Sequence, residues 1–372
     1  MKVRAAVLVG VLLVAAPALA SPPKVGGRAY YVQNASTGEV LLQRHSRERV
    51  PIASITKLMT VIVALEHTRL NDVVVVRKDA AQVGQESIYL RAGDRLTVRE
   101  LVEAALIQSA NDAAVALADY ASDHDLGRFV GWMNAKARTL GLTDTHFVNP
   151  DGLDETGHYS SARDVTRLAQ VAMHLPLVRQ FVRRTNATIS GDRHLHTWND
   201  LLYTFPHLIG VKTGHTTGAG WSEVAAARGP GVTIYATLLG EPTRADRNAD
   251  LALLLAYGLS RYRVLPVVQA QRVYATAQTG YGKGPIALVA PRQALRVVRV
   301  GRPMVEKVVA PSAVSLPVAL GQQLGEVEVY VQGKLVARSP LVAARSSSRP
   351  GVLGRAGWYA KRTVDHVWGW IA

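Results

Sequence analysis

Apolar and polar positions follow two different periods along roughly the first two-thirds of the chain. Alternating apolar residues over 28–43 flank a turn at 34–38 and predict two strands. Three apolar runs over 207–240, separated by glycine-rich turns, predict further strands. Apolar residues at helical spacing predict helices over about 55–67, 98–121 and 245–259. Strands, then helices, then strands indicate an α+β fold in which an antiparallel sheet packs with helices.

The predicted helix over 98–121 has a clear start signal. Thr97 precedes it, and Glu100 lies three residues further on. A threonine and a glutamate at this spacing can each satisfy a free backbone N–H of the first helical turn. The pair therefore predicts a capping box at the beginning of this helix.

The polarity pattern changes along the chain and divides it into five segments. Short β-rich runs punctuated by Gly and Pro predict a second, small all-β domain, and a polar stretch predicts a linker after it. We expect a signal peptide over 1–20, a larger α+β domain over 21–262, a β-rich domain over 263–343, a linker over 344–356 and an amphipathic helix over 357–372.

The first twenty residues have the three parts of a secretory signal. A basic start precedes an apolar core, and Ala18–Leu19–Ala20 supplies the small-x-small end that predicts cleavage after Ala20. An uncleaved membrane anchor is the alternative, but the apolar core is short for a span. The sequence therefore predicts an exported protein, in the periplasm or on the outer face of the bacterial cytoplasmic membrane.

Composition narrows the class of partner. The 372 residues are enough for two domains, and 48% hydrophobic with 19% charged residues is typical of a folded chain. The chain has no cysteine, so disulfides and thiol chemistry are excluded. The formal net charge of +15 favours anionic lipid or cell-wall polymer over nucleic acid, because an exported chain without a nucleic-acid motif rarely meets the latter.

The stretch "PIASITKLMT" raises the first question of chemistry. Ser54 stands before a predicted helix and could be only its N-cap. Lys57 follows three residues later, on the same helical face, where its amine could reach the serine hydroxyl. Serine and lysine at this spacing are common by chance, so the rest of the chain has to decide between cap and nucleophile.

Two further stretches decide it. "QSANDAA" supplies Ser109 and Asn111 in the second predicted helix, where a plain amphipathic helix needs neither side chain. "GVKTGHT" supplies Lys212, Thr213 and Gly214 on a predicted strand. In this order, behind an export signal, the three stretches form the signature of penicillin-recognising serine acyl transferases.

On these motifs the chain resembles the D-alanyl-D-alanine carboxypeptidases, the low-molecular-mass penicillin-binding proteins, over essentially its whole length. The segments "YLRAGDRLTVRELVEAALIQSANDAA" and "NPDGLDETGHYSSARDV" are also similar to family segments. Ala110 departs from the family, in which glycine is common at this position. The resemblance implies a serine β-lactamase/transpeptidase-like catalytic fold followed by a small all-β domain, with no cofactor and no metal.

The resemblance also implies roles for the catalytic residues. Ser54 corresponds to the nucleophile and Lys57 to its general base, whose pKa burial near a second cation, Lys212, would lower. Ser109 corresponds to a residue that relays a proton toward the leaving D-alanine, and Asn111 to one that orients the substrate backbone.

Substrate binding is implied for a second set of residues. Lys212, Thr213 and Gly214 match the motif that binds the terminal carboxylate, and Arg247 corresponds to a family position near that carboxylate. A solvated helix charge is the alternative interpretation of Arg247. The backbone N–H groups of Ser54 and His215 are expected to form an oxyanion hole. The substrate-binding set is Lys212, Thr213, Gly214, His215 and Arg247.

The remaining histidines do not predict a metal site. His194 and His196 are two residues apart, and His158 lies elsewhere, but no third ligand follows in a recognised pattern. We therefore expect all three to be ordinary surface histidines.

The last residues predict an interfacial helix. Trp358, Trp368 and Trp370 are three of the six tryptophans of the chain. Apolar residues at helical spacing face one side, and Arg355, Lys361 and Arg362 could meet anionic lipid. The segment is too short and too polar to span a membrane. A helix docked on the protein's own core is the alternative.

These features together predict an exported serine D-Ala-D-Ala carboxypeptidase that removes the terminal D-alanine of peptidoglycan stem peptides through an acyl-enzyme on Ser54 and is inhibited by β-lactams. Three alternatives stay open: an endopeptidase acting on cross-links, a serine β-lactamase, and a non-catalytic cell-wall scaffold. The β-lactamase would need a deacylation base, for which Glu155 is the candidate in an unusual context.

Overall fold

The computed structural model describes the backbone of residues 5–12 and 21–371 and the side chains of residues 21–364. The chain divides into two compact units between Arg261 and Tyr262, one residue before the division expected from the sequence. Part of the predicted signal peptide lies outside the described residues, and this segment stays a prediction. Its described part, Ala5–Leu12, forms strand β1.

An antiparallel sheet forms the centre of the larger unit. The strands are, in chain order, β2 (Ala29–Asn34), β3 (Val40–Arg44), β4 (Val73–Val75), β5 (Arg95–Thr97), β6 (Asn186–Ile189), β7 (Arg193–His196), β8 (Leu208–Thr216), β9 (Gly220–Gly229) and β10 (Val232–Glu241). Five of them form the sheet in the order β3-β2-β10-β9-β8, and β4-β5 and β6-β7 form separate pairs. The strands predicted over 28–43 and 207–240 are confirmed.

Helices pack against this sheet and enclose the main apolar core. They are α1 (Lys57–His67), α2 (Lys78–Ala81), α3 (Val98–Ile107), α4 (Asn111–Ala121), α5 (Leu126–Thr139), α6 (Ala162–Ala172), α7 (Pro176–Phe181), α8 (Leu201–Thr204) and α9 (Arg244–Ser260). Helices α6 and α9 contact the sheet, and α1, α3 and α4 contact one another within the core. The predicted α+β class is confirmed.

The capping box of α3 is confirmed, but the helix ends earlier than predicted. Glu100 N donates to Thr97 Oγ1 at 3.2 Å, and Thr97 N donates to the Glu100 carboxylate at 2.7 Å. The single helix expected over 98–121 is wrong, because the chain breaks between α3 and α4. Ser109 lies in the break with φ +70°, a left-handed conformation that no helix interior allows.

Ser54 is not the N-cap that one interpretation of the sequence suggested. It lies inside a 3₁₀ turn, Ala53–Thr56, and α1 begins only at Lys57. The N-cap of α1 is Thr56, whose side chain makes no capping hydrogen bond. The Ser54 hydroxyl is therefore not used for capping and is available for another contact.

The smaller unit is β-rich and has its own apolar core. Its strands are β11 (Tyr262–Val268), β12 (Val273–Thr279), β13 (Ile286–Val289), β14 (Ala294–Arg299), β15 (Met304–Pro311), β16 (Ala313–Val314), β17 (Gln323–Val331) and β18 (Lys334–Ala343). A seven-stranded sheet has the order β1-β15-β17-β18-β13-β12-β16, and β11 pairs with β14.

One helix, α10 (Val352–Ile371), follows the last strand. It begins within the predicted linker, five residues before the helix expected over 357–372. None of the described helices combines the length and the apolarity that a membrane crossing requires.

Candidate active site

Ser54 and Lys57 meet at the junction of the 3₁₀ turn and α1. Ser54 is three residues before Lys57, and the 3₁₀ turn leads directly into α1, so both side chains leave the backbone on one side. Lys57 Nζ donates to Ser54 Oγ at 2.6 Å. The hydrogen bond between the two side chains that the i, i+3 spacing predicts is therefore present.

The Lys57 amine is enclosed by protein and makes two further hydrogen bonds. It is fully buried and donates to Asn111 Oδ1 at 2.6 Å and to the backbone carbonyl of Asp151 at 2.7 Å. Burial lowers the pKa of Lys57 to about 8, against the opposing charges of Asp151, Glu86 and Asp112. Burial is the leading cause of this shift, as expected, whereas the charge of Lys212 is not among its causes.

The second and third motifs meet in a similar contact. Lys212 Nζ, on β8, donates to Ser109 Oγ at 2.7 Å and to the carbonyl of Thr213 at 2.9 Å. Burial lowers the pKa of Lys212 well below its ordinary value, and the charge of Lys57 adds to this shift. The left-handed backbone of Ser109 directs its hydroxyl to this lysine instead of to a helix surface.

Strand β8 lies directly against the 3₁₀ turn that carries Ser54. A Cβ atom at Gly214 would be 2.7 Å from the carbonyl oxygen of Ile52 and 3.2 Å from Ser54 N. Only glycine allows this approach, which brings the backbone of His215 near that of Ser54. The ring of His215 stacks on Trp221, with ring centroids 4.0 Å apart.

Arg247 is buried, and the solvated-charge interpretation of this residue is wrong. Its side chain is 1% exposed and lies in the first turn of α9. Its Nε is 3.2 Å from Glu223 Oε2, and its Nη2 donates to Asn248 Oδ1 at 2.5 Å. The guanidinium also lies over the Trp221 ring, 5.8 Å from the centroid.

These residues surround one cleft with a volume of about 300 Å³. Lys57, Asn111 and Lys212 lie behind its wall and reach it through Ser54 and Ser109. The structure therefore brings together all nine residues singled out from the sequence. The six of them that line the cleft are Ser54, Ser109, Thr213, Gly214, His215 and Arg247.

Sequence reasoning missed several residues of the cleft wall. Gln85 and Glu86, from the segment between α2 and β5, line the cleft, as do Trp198 and Trp221. The loop residues belong to no motif used in the sequence analysis. The two tryptophans lie on either side of the third motif in the sequence, and this proximity could have indicated that they line the cleft.

Two residues that the sequence analysis considered, one as a surface histidine and one as a deacylation base, lie in other environments. His158 is buried rather than exposed, its Nε2 is 2.8 Å from Thr56 Oγ1, and burial lowers its pKa to about 4. Glu155 is exposed and accepts a hydrogen bond from Asn149, so it is absent from the cleft wall. Among the residues whose side chains are described, no group of three His, Cys, Asp or Glu is placed to hold a metal ion.

Comparison with known proteins gives a consistent set of matches. The family model described as D-alanyl-D-alanine carboxypeptidase matches residues 16–243. D-alanyl-D-alanine carboxypeptidase DacD of Salmonella typhimurium is 31% identical over 358 residues, covering 91% of this chain and 90% of the relative. DacF of Bacillus subtilis is 30% identical over 341 residues, covering 88% and 86%. Penicillin binding protein 5 from Haemophilus influenzae superposes with a TM-score of 0.65 at 25% identity, covering 89% of this chain and 100% of that one.

Proposed function

The chain belongs to the D-alanyl-D-alanine carboxypeptidase family, and on that premise we propose how its residues carry out the reaction. It is a serine-type D-Ala-D-Ala carboxypeptidase, a hydrolase that acts on peptidoglycan peptides and binds β-lactams. The observation that carries the proposal is the 2.6 Å contact between Lys57 Nζ and Ser54 Oγ at the cleft wall.

Ser54 is the nucleophile, and Lys57 accepts its proton. The three contacts of Lys57 use all three N–H bonds of an ammonium group. The oxygens of Asn111 and Asp151 can only accept, so in the neutral amine the lone pair must face Ser54 Oγ. With a pKa of about 8, roughly a tenth of Lys57 is neutral at pH 7. Loss of a proton therefore creates a base that points at the nucleophile.

The substrate's terminal carboxylate binds at the cationic end of the cleft. Arg247 and Thr213 line this end, and Lys212 lies directly behind it. When Ser54 Oγ attacks the carbonyl of the penultimate D-alanine, the negative charge develops on that carbonyl oxygen. The backbone N–H groups of Ser54 and His215 stabilise this oxygen, because fixed donors need no reorganisation during the step.

The leaving group departs with a proton, and water then frees the enzyme. The C–N bond breaks as the amine of terminal D-alanine takes a proton relayed by Ser109, leaving the shortened peptide as an ester on Ser54. Water attacks this ester, the C–O bond breaks, and the proton returns to Ser54. A β-lactam acylates the same oxygen, with its ring amide in the place of the peptide bond.

Mass spectrometry of the products from a pentapeptide ending in D-Ala-D-Ala tests this function. The expected products are free D-alanine and the tetrapeptide, and Ser54→Ala should yield neither. A cross-linked peptide dimer incubated in parallel detects endopeptidase activity, which would produce two monomers. An intact pentapeptide after incubation with the folded enzyme would contradict the proposal.

Because peptidoglycan lies outside the cytoplasmic membrane, we place the enzyme there, exported by the segment over 1–20. We also propose that residues 357–372 attach it to anionic lipid. Exposed apolar side chains within this segment support this, since Tyr359 is 56% and Val364 52% exposed. Trp358 instead packs 5.4 Å from the Tyr281 ring, on the protein itself. The side chains of Trp368, Trp370 and Ile371 lie outside the described residues.

Sedimentation with anionic liposomes tests the attachment. Deleting residues 357–372 should release the protein into the supernatant and leave the hydrolysis of a soluble pentapeptide unchanged. Serine at Trp368 and Ile371 should weaken attachment by about 1.5–3 kcal/mol for each buried side chain. Leu335→Ser is a matched control, because Leu335 is 47% exposed on the β-rich unit. If the truncated protein pellets as fully as the intact one, α10 is not the anchor.

A further inference from the structure

Glu223 is a buried carboxylate at the cationic end of the cleft that the mechanism above does not use. It lies on β9 directly opposite Thr213 of β8, and opposite residues of an antiparallel pair project to the same face of the sheet. Its side chain is 0% exposed. Neither carboxylate oxygen accepts a well-formed hydrogen bond from the residues whose side chains are described.

The partner of Glu223 is Arg247, which is also removed from solvent. Arg247 Nε lies 3.2 Å from Glu223 Oε2, and both side chains are at most 1% exposed. Burying two charges costs several kcal/mol per ion, and an apolar pair of similar volume is often at least as stable. A need for stability therefore does not explain why an ion pair occupies this position.

The contacts of Arg247 show what the pair fixes. Its Nε lies 3.2 Å from Glu223 Oε2 and donates to Asn248 Oδ1 at 3.1 Å, and its Nη2 contacts Asn248, Asp200 and the carbonyl of Trp198. Among the contacts of the described residues, Nη1 takes part in no hydrogen bond. Two sides of the planar guanidinium are thus held by protein, and the group lines the cleft with its remaining donors.

The other charged groups around Glu223 come from β8 and from the segment before α8. Lys212 favours the ionised carboxylate, as Arg247 does, whereas Asp200 opposes it. Burial raises the pKa of Glu223 to about 7, and the charge of Arg247 works against that shift. Among the groups that favour the ionised carboxylate, Arg247 has the largest effect.

We propose that Glu223 is a positioning residue for substrate recognition, acting through Arg247 to hold the guanidinium where the terminal carboxylate of the substrate binds. This rests on the proposed function, in which Arg247 binds that carboxylate. Glu223 itself does not touch the substrate. Its loss should therefore weaken recognition of the carboxylate and leave the chemistry at Ser54 intact.

Steady-state kinetics of Glu223→Gln on a D-Ala-D-Ala peptide test the proposal. The variant keeps the size of the side chain and removes its charge. An interaction made equally in the ground state and the transition state changes KM and leaves kcat. We expect KM to rise about tenfold, as suits a weakened charge-assisted contact, with kcat within about threefold. The same peptide with a C-terminal amide should lose much less in kcat/KM.

Two further variants separate positioning from general damage. Arg247→Gln should raise KM at least as much, and the double variant should be no worse than Arg247→Gln alone, because the proposed positioning role of Glu223 is exerted through Arg247. Glu241→Gln is the matched control. Glu241, on β10, is 1% exposed and has a pKa raised to about 7, but it faces Asp250 and Gly27. Its replacement should leave KM unchanged.

The outcomes are distinct. An unchanged KM in Glu223→Gln, a fall in kcat at constant KM, equal losses on the carboxylate and amide peptides, or additive effects in the double variant would each overturn the positioning role. An equal rise of KM in Glu241→Gln would do the same. If Arg247→Gln leaves KM unchanged, or the unaltered enzyme releases no D-alanine, it is the proposed function that fails. Thermal melting of each variant confirms that it is folded.

Discussion

Gly214 is the point at which one added methyl group should disable the oxyanion hole. Its Cβ position is 2.7 Å from the carbonyl oxygen of Ile52 and 3.2 Å from Ser54 N. Comfortable contacts between such atoms are about 3.5 Å, so Gly214→Ala forces β8 and the 3₁₀ turn apart by roughly 0.8 Å. Both proposed oxyanion donors, the N–H groups of Ser54 and His215, adjoin this contact.

The size of the effect follows from the hydrogen-bond distance. A donor at about 2.9 Å from the oxyanion that moves by 0.8 Å ends near 3.7 Å, where a hydrogen bond no longer exists. Loss of one oxyanion donor costs about 10²–10³ in rate. We therefore expect Gly214→Ala to lower acylation about 10²-fold or more, with about 1–3 kcal/mol lost in stability from overpacking.

Stopped-flow acylation by a fluorescent penicillin measures this rate, and D-alanine release from a pentapeptide should fall in parallel. Gly131→Ala is the control, since Gly131 lies in α5 and a Cβ there meets nothing within 4 Å. That change should leave acylation untouched and stabilise the helix by about 0.5–1 kcal/mol. Acylation of Gly214→Ala within about threefold of the unaltered rate, at an unchanged melting temperature, would refute the reasoning.

Three further outcomes follow from the site. Ser54→Ala should show no penicillin labelling and no D-alanine release at an unchanged melting temperature; labelling of the variant would exclude Ser54 as the nucleophile. Acylation should rise with pH through about 8 as Lys57 loses its proton, and Lys57→Arg should lower it about 10²-fold or more at every pH, because guanidinium stays charged; a rate within a few-fold would exclude Lys57 as the base. Burial lowers the pKa of His158 from 6.5 to about 4, so on acidification protons bind the unfolded chain first. The free energy of unfolding should therefore fall by about 3 kcal/mol as the pH is lowered from 6.5 to 4. Denaturant titrations should show this slope disappear in His158→Asn and persist in the exposed-site control His194→Asn.

Much of the fold could be predicted because its signals are local. The capping box at Thr97 and Glu100 involves residues three apart, and the strands over 28–43 and 207–240 show their apolar pattern within single runs. The contact between Ser54 and Lys57 also lies within one turn of backbone. Each of these features depends on residues that are neighbours in the chain, which is the range over which periodicity and spacing carry information.

The break at Ser109 could not be predicted, because the contacts that hold it come from a distant loop. The helical pattern continues through 98–121 without a glycine or proline. The backbone leaves the helix because Asn111 N donates to the carbonyl of Glu86 at 2.8 Å and the Gln108 amide donates to the carbonyl of Ser87 at 3.2 Å. These partners lie about twenty residues earlier, so local propensity is overridden by tertiary contacts.

Glu223 escaped prediction for a related reason. In "GWSEVAAARG" it is one charged residue in a strand, and such a residue usually faces solvent. Its burial depends on α9, whose first turn brings Arg247 over the sheet some twenty residues later in the chain. Only the packing of the helix on the strand turns an ordinary surface charge into a buried ion pair.

Burial lowers the pKa of Lys57 enough for it to act as a base instead of remaining a protonated structural lysine. Three carboxylates raise the pKa of Lys57 by their charge, and on that ground alone the amine would stay protonated at neutral pH. Desolvation outweighs them, because the side chain is enclosed by Ser54, Asn111 and the carbonyl of Asp151. A change that admits water beside Lys57 without replacing it should thus raise its pKa and shift the acylation profile to higher pH. Asn111→Ala removes one wall of the enclosure and one acceptor of the ammonium; the admitted water replaces that acceptor and also solvates the charge, so the midpoint of the profile should move above 8. A midpoint that moves below 8 would show that the hydrogen bond to Asn111, rather than burial, controls the pKa of the base.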